Sequence, residues 1–563
     1  NAGKGAIVVE GISDKFYGVN FVTRDDVVPK QLSLISDKTS GDAIQIVGES
    51  TENYGVVFNY ENPKEVLATG GGNISVTGRT SNGSNGVFLQ NQDILATSGS
   101  ITIDGGKGMV VRPQGLRLGE KTGSQITTST ADVFLTADTF TFDALATGFE
   151  SAINTAGAVT IQSSGGSFSS ALTFPSANLS LGSSVSALTI GKSGNTATVT
   201  LGSAVNINGP LTIYGGVINL DANVTTAGTQ TFSGAVTLDS PVTLATTNAA
   251  VHFQNTLNSE ASEDNNLTIN AGSGAVTFDG VIGGTANGEL GDFVVNSTGK
   301  TWFKSAVTAA SVTTNSGGTL QVDGGSVTTT GAMSFGEGMT LGANTTFNVT
   351  NLSAAAIDMA GFNLTVNEAG TGSITGILSG TDSAFTKQGN GHLTLSGANT
   401  YTGGTTVSAG ILKAGISSVG APGSITSGAF GTGNVTIAAD AALDLAAQTV
   451  ANTIAVQGQG FDESGTRTGA IFNTSANLAT VSGAVTLDGN TLIRNNGALT
   501  ISGAIDAASA GSASALTLGN TTTGTGLITL SGTIGGGQAI TSLTVEDDLN
   551  LAASVTTSGN QTF

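Results

Sequence analysis

Few side chains in this chain could do chemistry. His252 and His392 are the only histidines, and there is no cysteine. Each histidine sits in a stretch of alternating apolar and polar residues with no second ligand type at metal spacing. Both therefore read as surface or turn residues rather than as a general base or a zinc ligand. Without thiols there are no disulfides, thiolate metal sites or cysteine nucleophiles. Serine and threonine are plentiful, but no Gly-x-Ser-x-Gly elbow holds one of them against a base. Gly191-Lys192-Ser193 resembles the end of a phosphate-binding loop. Ser186 stands where the first glycine of that loop belongs, and no helix pattern follows, so a turn is predicted.

Two further groups could hold a ligand. The run Glu260-Ala261-Ser262-Glu263-Asp264-Asn265-Asn266 offers oxygens to a hard cation such as calcium, without the spacing of a calcium loop, and reads as a solvated loop. Trp302, the only tryptophan, lies in Lys300-Thr301-Trp302-Phe303-Lys304. Exposed, its ring would stack on a sugar; packed, it would fill a widened layer or the base of a loop, and packing is the expectation. A polysaccharide lyase or hydrolase needs paired acids beside basic or aromatic groups in a cleft. Only seven of the 18 basic residues fall in 122–563, too few to build one there. The chain is not read as an enzyme. No residue is assigned as catalytic, cofactor-binding or metal-ligating.

Charge narrows the partners. The formal net charge is −21, of which −2 belongs to residues 1–121 and −19 to residues 122–563. A field of that sign disfavours nucleic acid. It also keeps copies of the chain apart unless cations screen it. No apolar run has transmembrane length.

The elements that position these residues are short strands. Apolar residues alternate with Thr, Ser and Asn over three to five positions, then Ser-Gly, Asn-Gly or Gly-Gly turns the chain. Ser233-Gly-Ala-Val-Thr-Leu-Asp239 recurs as Ser273–Asp279, with Phe for Leu, and as Ser482–Asp488. Its Val and Leu (or Phe) should point inward and its Thr outward. In the first 121 residues, strand Ala6–Val9 is expected to pair with Tyr17–Phe21, and Ala43–Ile46 with Tyr54–Phe58. The first-strand positions Ile7, Ile44, Ile74 and Ile101 are 37, 30 and 27 residues apart, the mark of a stacked repeat with shortening loops. Longer loops there carry Arg24, Asp25, Asp26, Lys30, Glu61 and Lys64. Three regions follow from composition: 1–121 with charged loops, a regular shaft over 122–380, and 381–563. The Ala-rich piece 438–449 is expected as strand and turn, and Asn206 or Asn208 as members of amide ladders. The predicted architecture is an all-β, right-handed parallel β-helix (a β-solenoid) forming an elongated rod, with ~20–27 residues per turn of the coil.

Residues 385–412 carry a family resemblance. The pattern comprises Lys387, Gly389, Gly391, Leu393, Leu395, Ser396-Gly397, Asn399-Thr400-Tyr401-Thr402-Gly403-Gly404-Thr405-Thr406-Val407, Ala409-Gly410 and Leu412. It is long and gapless, and it resembles the autotransporter-associated β-strand repeat of bacterial secreted passengers. It departs at Phe385, where Leu is usual, and at His392, where a small polar residue is usual. The rest is similar, in composition and spacing, to large filamentous haemagglutinin-like adhesins. Val555–Phe563 repeats Val224–Phe232 and stops where the earlier copy continues, so the chain is expected to be a piece of a longer protein. The resemblance implies a β-helix, export across a bacterial outer membrane and a role at the cell surface, with no active site. The expected partners are a glycan or protein receptor on a host or neighbouring cell. The alternative is self-association into a fibre or sheath.

Overall fold

The computed structural model describes residues 2–22, 33–82, 85–112, 116–122, 124–147, 149–520, 526–546 and 548–563. The loop residues Arg24, Asp25, Asp26 and Lys30, and the side chains of Glu61 and Lys64, lie outside that description. Every described element is a strand, and no helix is long and apolar enough to cross a membrane. Two compact units emerge, Asn1–Gly291 and Asp292–Phe563.

Each unit is a parallel β-helix. In the first, strands Ile7–Ser13, Asp42–Ser50, Asn73–Thr80 and Ser100–Gly106 lie side by side. The partners are Ile7 with Ile44, Ile44 with Ile74, and Ile74 with Ile101, the spacing seen in the sequence. The column continues through Val133, Val159, Leu188 and Leu211. Such alternation turns every second residue of a strand into the interior and satisfies each backbone with the turns above and below. Burial of each aliphatic side chain contributes about 1.5–3 kcal/mol. Further along, Phe232, Phe253 and Phe278 stack at 4.9 and 5.1 Å between ring centroids.

The pairing expected within the first region differs from the structure. Val19–Val22 pairs not with Ile7–Ser13 but with Val56–Ala68, in register Val19 to Val56 and Phe21 to Phe58. The two strands of one turn of the coil belong to different faces, as a solenoid requires. Where the chain passes between them it is pinched by glycines. A Cβ on Gly48 would run into the Gly55 carbonyl oxygen, and one on Gly78 into that of Gly86. Only glycine permits this approach.

In the second unit one turn of the coil is Leu364–Glu368, Thr371–Ile374 and Leu378–Ser379, after which Phe385–Gln388 returns to the first face. The inward column on that face runs Leu364, Phe385, Thr405, Val435, Ile454, Val485, Ile505. Most steps are 19 to 21 residues, but Thr405 to Val435 takes 30 and Ile454 to Val485 takes 31. The extra residues leave the coil as loops. In the recurring heptapeptide Val236, Leu238, Val276, Phe278, Val485 and Leu487 are buried, as the alternation predicted. The Ala-rich piece forms strands Ala441–Asp444 and Thr449–Val450 around a turn at Ala446 and Ala447, whose φ values are +48° and +67°. Asn206 faces Thr225 rather than another amide. The amide stack lies instead at Asn367, which donates to the Asn348 side chain one turn away at 3.0 Å.

Candidate functional site

The residues of 385–414 explain their own pattern. Lys387 points into the core, and its Nζ donates to the carbonyls of Gln388 (2.7 Å) and Gly389 (2.8 Å). Asn399 is buried, accepting from the Leu378 amide (2.7 Å) and donating to the Ala429 carbonyl (2.6 Å). The Tyr401 hydroxyl meets Thr405 Oγ1 at 2.6 Å, and Thr405 donates to the Phe430 carbonyl at 3.0 Å. Each is a polar side chain that closes backbone groups at a corner of the coil, where a buried unpaired group costs about 1–3 kcal/mol. Phe385 in place of Leu packs inward, 6.3 Å from the Tyr401 ring. Burial pushes the Tyr401 phenol well above its ordinary pKa.

His392 lies on the outer face of the same repeat, and there it meets the hairpin that the long step from Ile454 to Val485 leaves outside the coil. Its strands, Asp462–Glu463 and Thr466–Arg467, are antiparallel. The two-residue turn is Ser464-Gly465, with φ of +55° and +86°, which matches the right-handed strand twist. Asp462 Oδ1 accepts from the Gly465 amide at 2.7 Å. Phe461 seats the hairpin on an outer apolar patch of Ile411, Ala442 and Phe472. The His392 ring meets Phe461 edge-on at 6.3 Å, and its Nε2 is 3.8 Å from Glu463 Oε1.

Beside the hairpin is a groove of about 520 Å³, bounded by Gln459, Thr466, Arg467, Asn490, Leu492, Arg494, Thr517 and Glu546. A second recess of about 220 Å³ reaches from Glu463 and Arg467 to Phe472 and Thr474. Arg467 and Arg494 are the only arginines after residue 117. Arg467 Nη1 donates to Asp440 Oδ1 (2.8 Å) and to the Gly460 carbonyl (2.9 Å). Arg494 Nη1 donates to the Arg467 carbonyl (2.7 Å), tying the coil to the hairpin, and its Nε is buried without a hydrogen-bond partner. No apolar pattern marks residues 459–469. The signals were the Ser-Gly turn between charged residues in a charge-poor region and the two arginines.

The other candidates fall elsewhere. His252 Nε2 lies 2.8 Å from Asp279 Oδ2 on the outer face of the first unit. Gly191-Lys192-Ser193 is a turn, with Lys192 Nζ on the Ser163 carbonyl at 2.9 Å. Within 260–266, Asn265 is buried and donates to the Leu238 carbonyl (3.1 Å) and Glu263 Oε2 (3.1 Å). Among the described residues no three His, Asp or Glu side chains converge as metal ligands would. Nearby Asp239 has its carboxyl pushed up to about 6, by burial first and then by Asp221, Glu260 and Glu263. Trp302 is half-buried: Nε1 donates to Asp323 Oδ2 at 2.7 Å, and the Lys300 and Lys304 ammonium groups lie 3.8 and 4.3 Å from the ring centroid. The ring is held in cation–π contacts rather than in the packed position expected.

Comparison with curated proteins and with solved structures returns no match. One family model matches, over residues 385–414. Its span takes in the Lys387, Asn399, Tyr401 and Thr405 corner described above: this segment is a passenger-associated-transport-repeat, a repeat of autotransporter passengers.

Proposed function

We propose that the chain is a structural and adhesive segment of a large secreted bacterial surface protein. The observation that carries this reading is the passenger repeat set, in register, within a continuous ladder of parallel strands. Such a ladder leaves few backbone amides unpaired, which favours resistance to proteolysis. Its interior is filled by aliphatic, Phe and corner-closing polar side chains, so attachment belongs to the outer face. The 459–469 hairpin is the outer feature best built for it. The role is mechanical and non-catalytic: the coil carries the hairpin, and the hairpin with its flanking faces contacts a receptor on a host or neighbouring cell. Beads coated with the chain and passed over epithelial or bacterial cells test this. Retention above beads coated with an unrelated protein of equal charge is expected; equal retention would end the adhesive reading.

A further inference from the structure

Arg494 stands apart from the other arginines. Of the five whose placement is described, Arg79, Arg112, Arg117 and Arg467 each have a carboxylate within 4.0 Å. Arg494 has none among the described residues, although the chain carries 39 acids against 18 bases. Its Nη1 is fixed on the Arg467 carbonyl at 2.7 Å, and its buried Nε has no partner. The guanidinium is therefore held in place with one edge unsatisfied. The buried Nε is out of a ligand's reach, so it is the guanidinium's outer end, bordering the groove, that a carboxylate would meet, by two parallel hydrogen bonds to the Nη groups.

The rest of the groove sets what carries that carboxylate. Asn490 uses its Oδ1 on the Ala515 amide at 3.0 Å, which turns its NH2 group free. Gln459, Thr466 and Thr517 add amide and hydroxyl groups, and Glu546 an acceptor. Leu492 gives a small apolar floor, 7% exposed. A volume near 520 Å³ lies within the range of small-ligand clefts. Strand Val485–Asn495 already has neighbours on both sides, so no free edge exists there for an added peptide strand. A ligand with one carboxylate and many hydroxyls satisfies the whole lining. We propose that this groove binds a carboxylate-bearing saccharide, a uronic-acid unit, with Arg494 taking the carboxylate and Asn490, Gln459 and Glu546 the hydroxyls. The proposal deepens the adhesive reading and rests on it for its biological meaning.

Calorimetric titration of the full chain with trigalacturonate tests it, beside the trimer's methyl ester, maltotriose and triglutamate. Trigalacturonate is expected to bind, with the ester and maltotriose at least ~10-fold weaker because they lack the charged acceptor. Arg494→Gln should abolish binding. Arg494→Lys should weaken it ~10-fold, since the charge stays and the two-donor fork is lost. Gln459→Ala, at an exposed side chain, should weaken it ~3-fold without touching the hairpin's seat. Should Arg494→Gln release the hairpin, seen as trypsin cleavage after Arg467, the lysine and Gln459 variants decide. Equal binding of the ester, equal binding of triglutamate, no binding at all, or unchanged affinity in both of those variants would each overturn the proposal. Bead retention without trigalacturonate binding would sink the groove and leave the adhesive reading standing.

Discussion

At the scale of the residue, the buried charges make the sharpest statement. Burial raises the Glu368 carboxyl to about 7, against the Leu352 amide and the Lys387 charge, which favour the ionised form. Burial lowers Lys387 to about 8, with Glu368 opposing. Glu337, buried in the same unit, is raised to about 7, with Thr314 opposing. A folded-state carboxyl raised above its unfolded value of 4.5 gives stability that is present below 4.5 and is lost as pH climbs through about 7. A lysine lowered from 10.5 gives stability that is present above 10.5 and is lost as pH falls through about 8. Local stability around the repeat should therefore be lowest between about 7 and 8. Hydrogen exchange over 364–414, followed from pH 5 to 9 and corrected for intrinsic rates, should show protection falling toward pH 7. Glu368→Gln should flatten the acid limb of that profile. A flat wild-type profile would refute the assignment. The pattern residues Lys387, Asn399, Tyr401 and Thr405 were legible as a family signature. Their role as corner-closing groups was not, because it depends on which carbonyls of neighbouring turns come within reach.

At the scale of the element, the strands were readable and their partners only partly so. Period-2 alternation marks a strand's inner face, and the spacing of Ile7, Ile44, Ile74 and Ile101 gave the register between successive turns. The same alternation is shared by two strands of one turn, so it could not say that they face different sheets. The glycine pinches decide that. Gly55→Ala would force a Cβ onto the Gly48 carbonyl oxygen and the Arg79 amide. A loss on the order of 2–4 kcal/mol, local to the first turns, is expected from a backbone clash of this kind. Urea unfolding of the N-terminal turns, monitored by exchange over 42–58, should move to lower denaturant while 435–507 is unchanged. The hairpin's one apolar seat is an aromatic on an outer patch, beside the polar ties of Arg467 and Arg494. Phe461→Ala should cost its seating about 1–3 kcal/mol, since the ring is only partly buried. Limited trypsinolysis would then cut after Arg467 several-fold faster. No change in the rate would mean that the polar ties, Arg494 to the Arg467 carbonyl and Arg467 to Asp440, hold the hairpin without the ring.

For the molecule as a whole, charge is the governing quantity. A net −21 with only 18 basic residues makes any two copies repel, and the acids are aligned by the coil itself. Asp239 follows Leu238, which pairs with Leu220, and its amide bonds the Leu220 carbonyl; Glu260 bonds the Leu238 carbonyl one turn on. Asp221, Asp239 and Glu260 thus stand at equivalent corners of successive turns, and their mutual repulsion adds to burial in lifting Asp239 to about 6. Stacking of this kind is the price of a repeated sequence: one turn's surface charge is copied onto the next. The sequence showed the net charge but not this alignment, since the three acids follow different local patterns. Cations that screen the row should relieve repulsion within a copy and between copies. If the fibre alternative holds, light scattering from the chain in ~20 mM salt should rise on adding millimolar calcium, and more than on adding sodium of equal ionic strength. Asp239→Asn should reduce the difference between the two ions. Scattering that stays at the level of single chains in every salt would leave attachment through individual chains as the working mechanism.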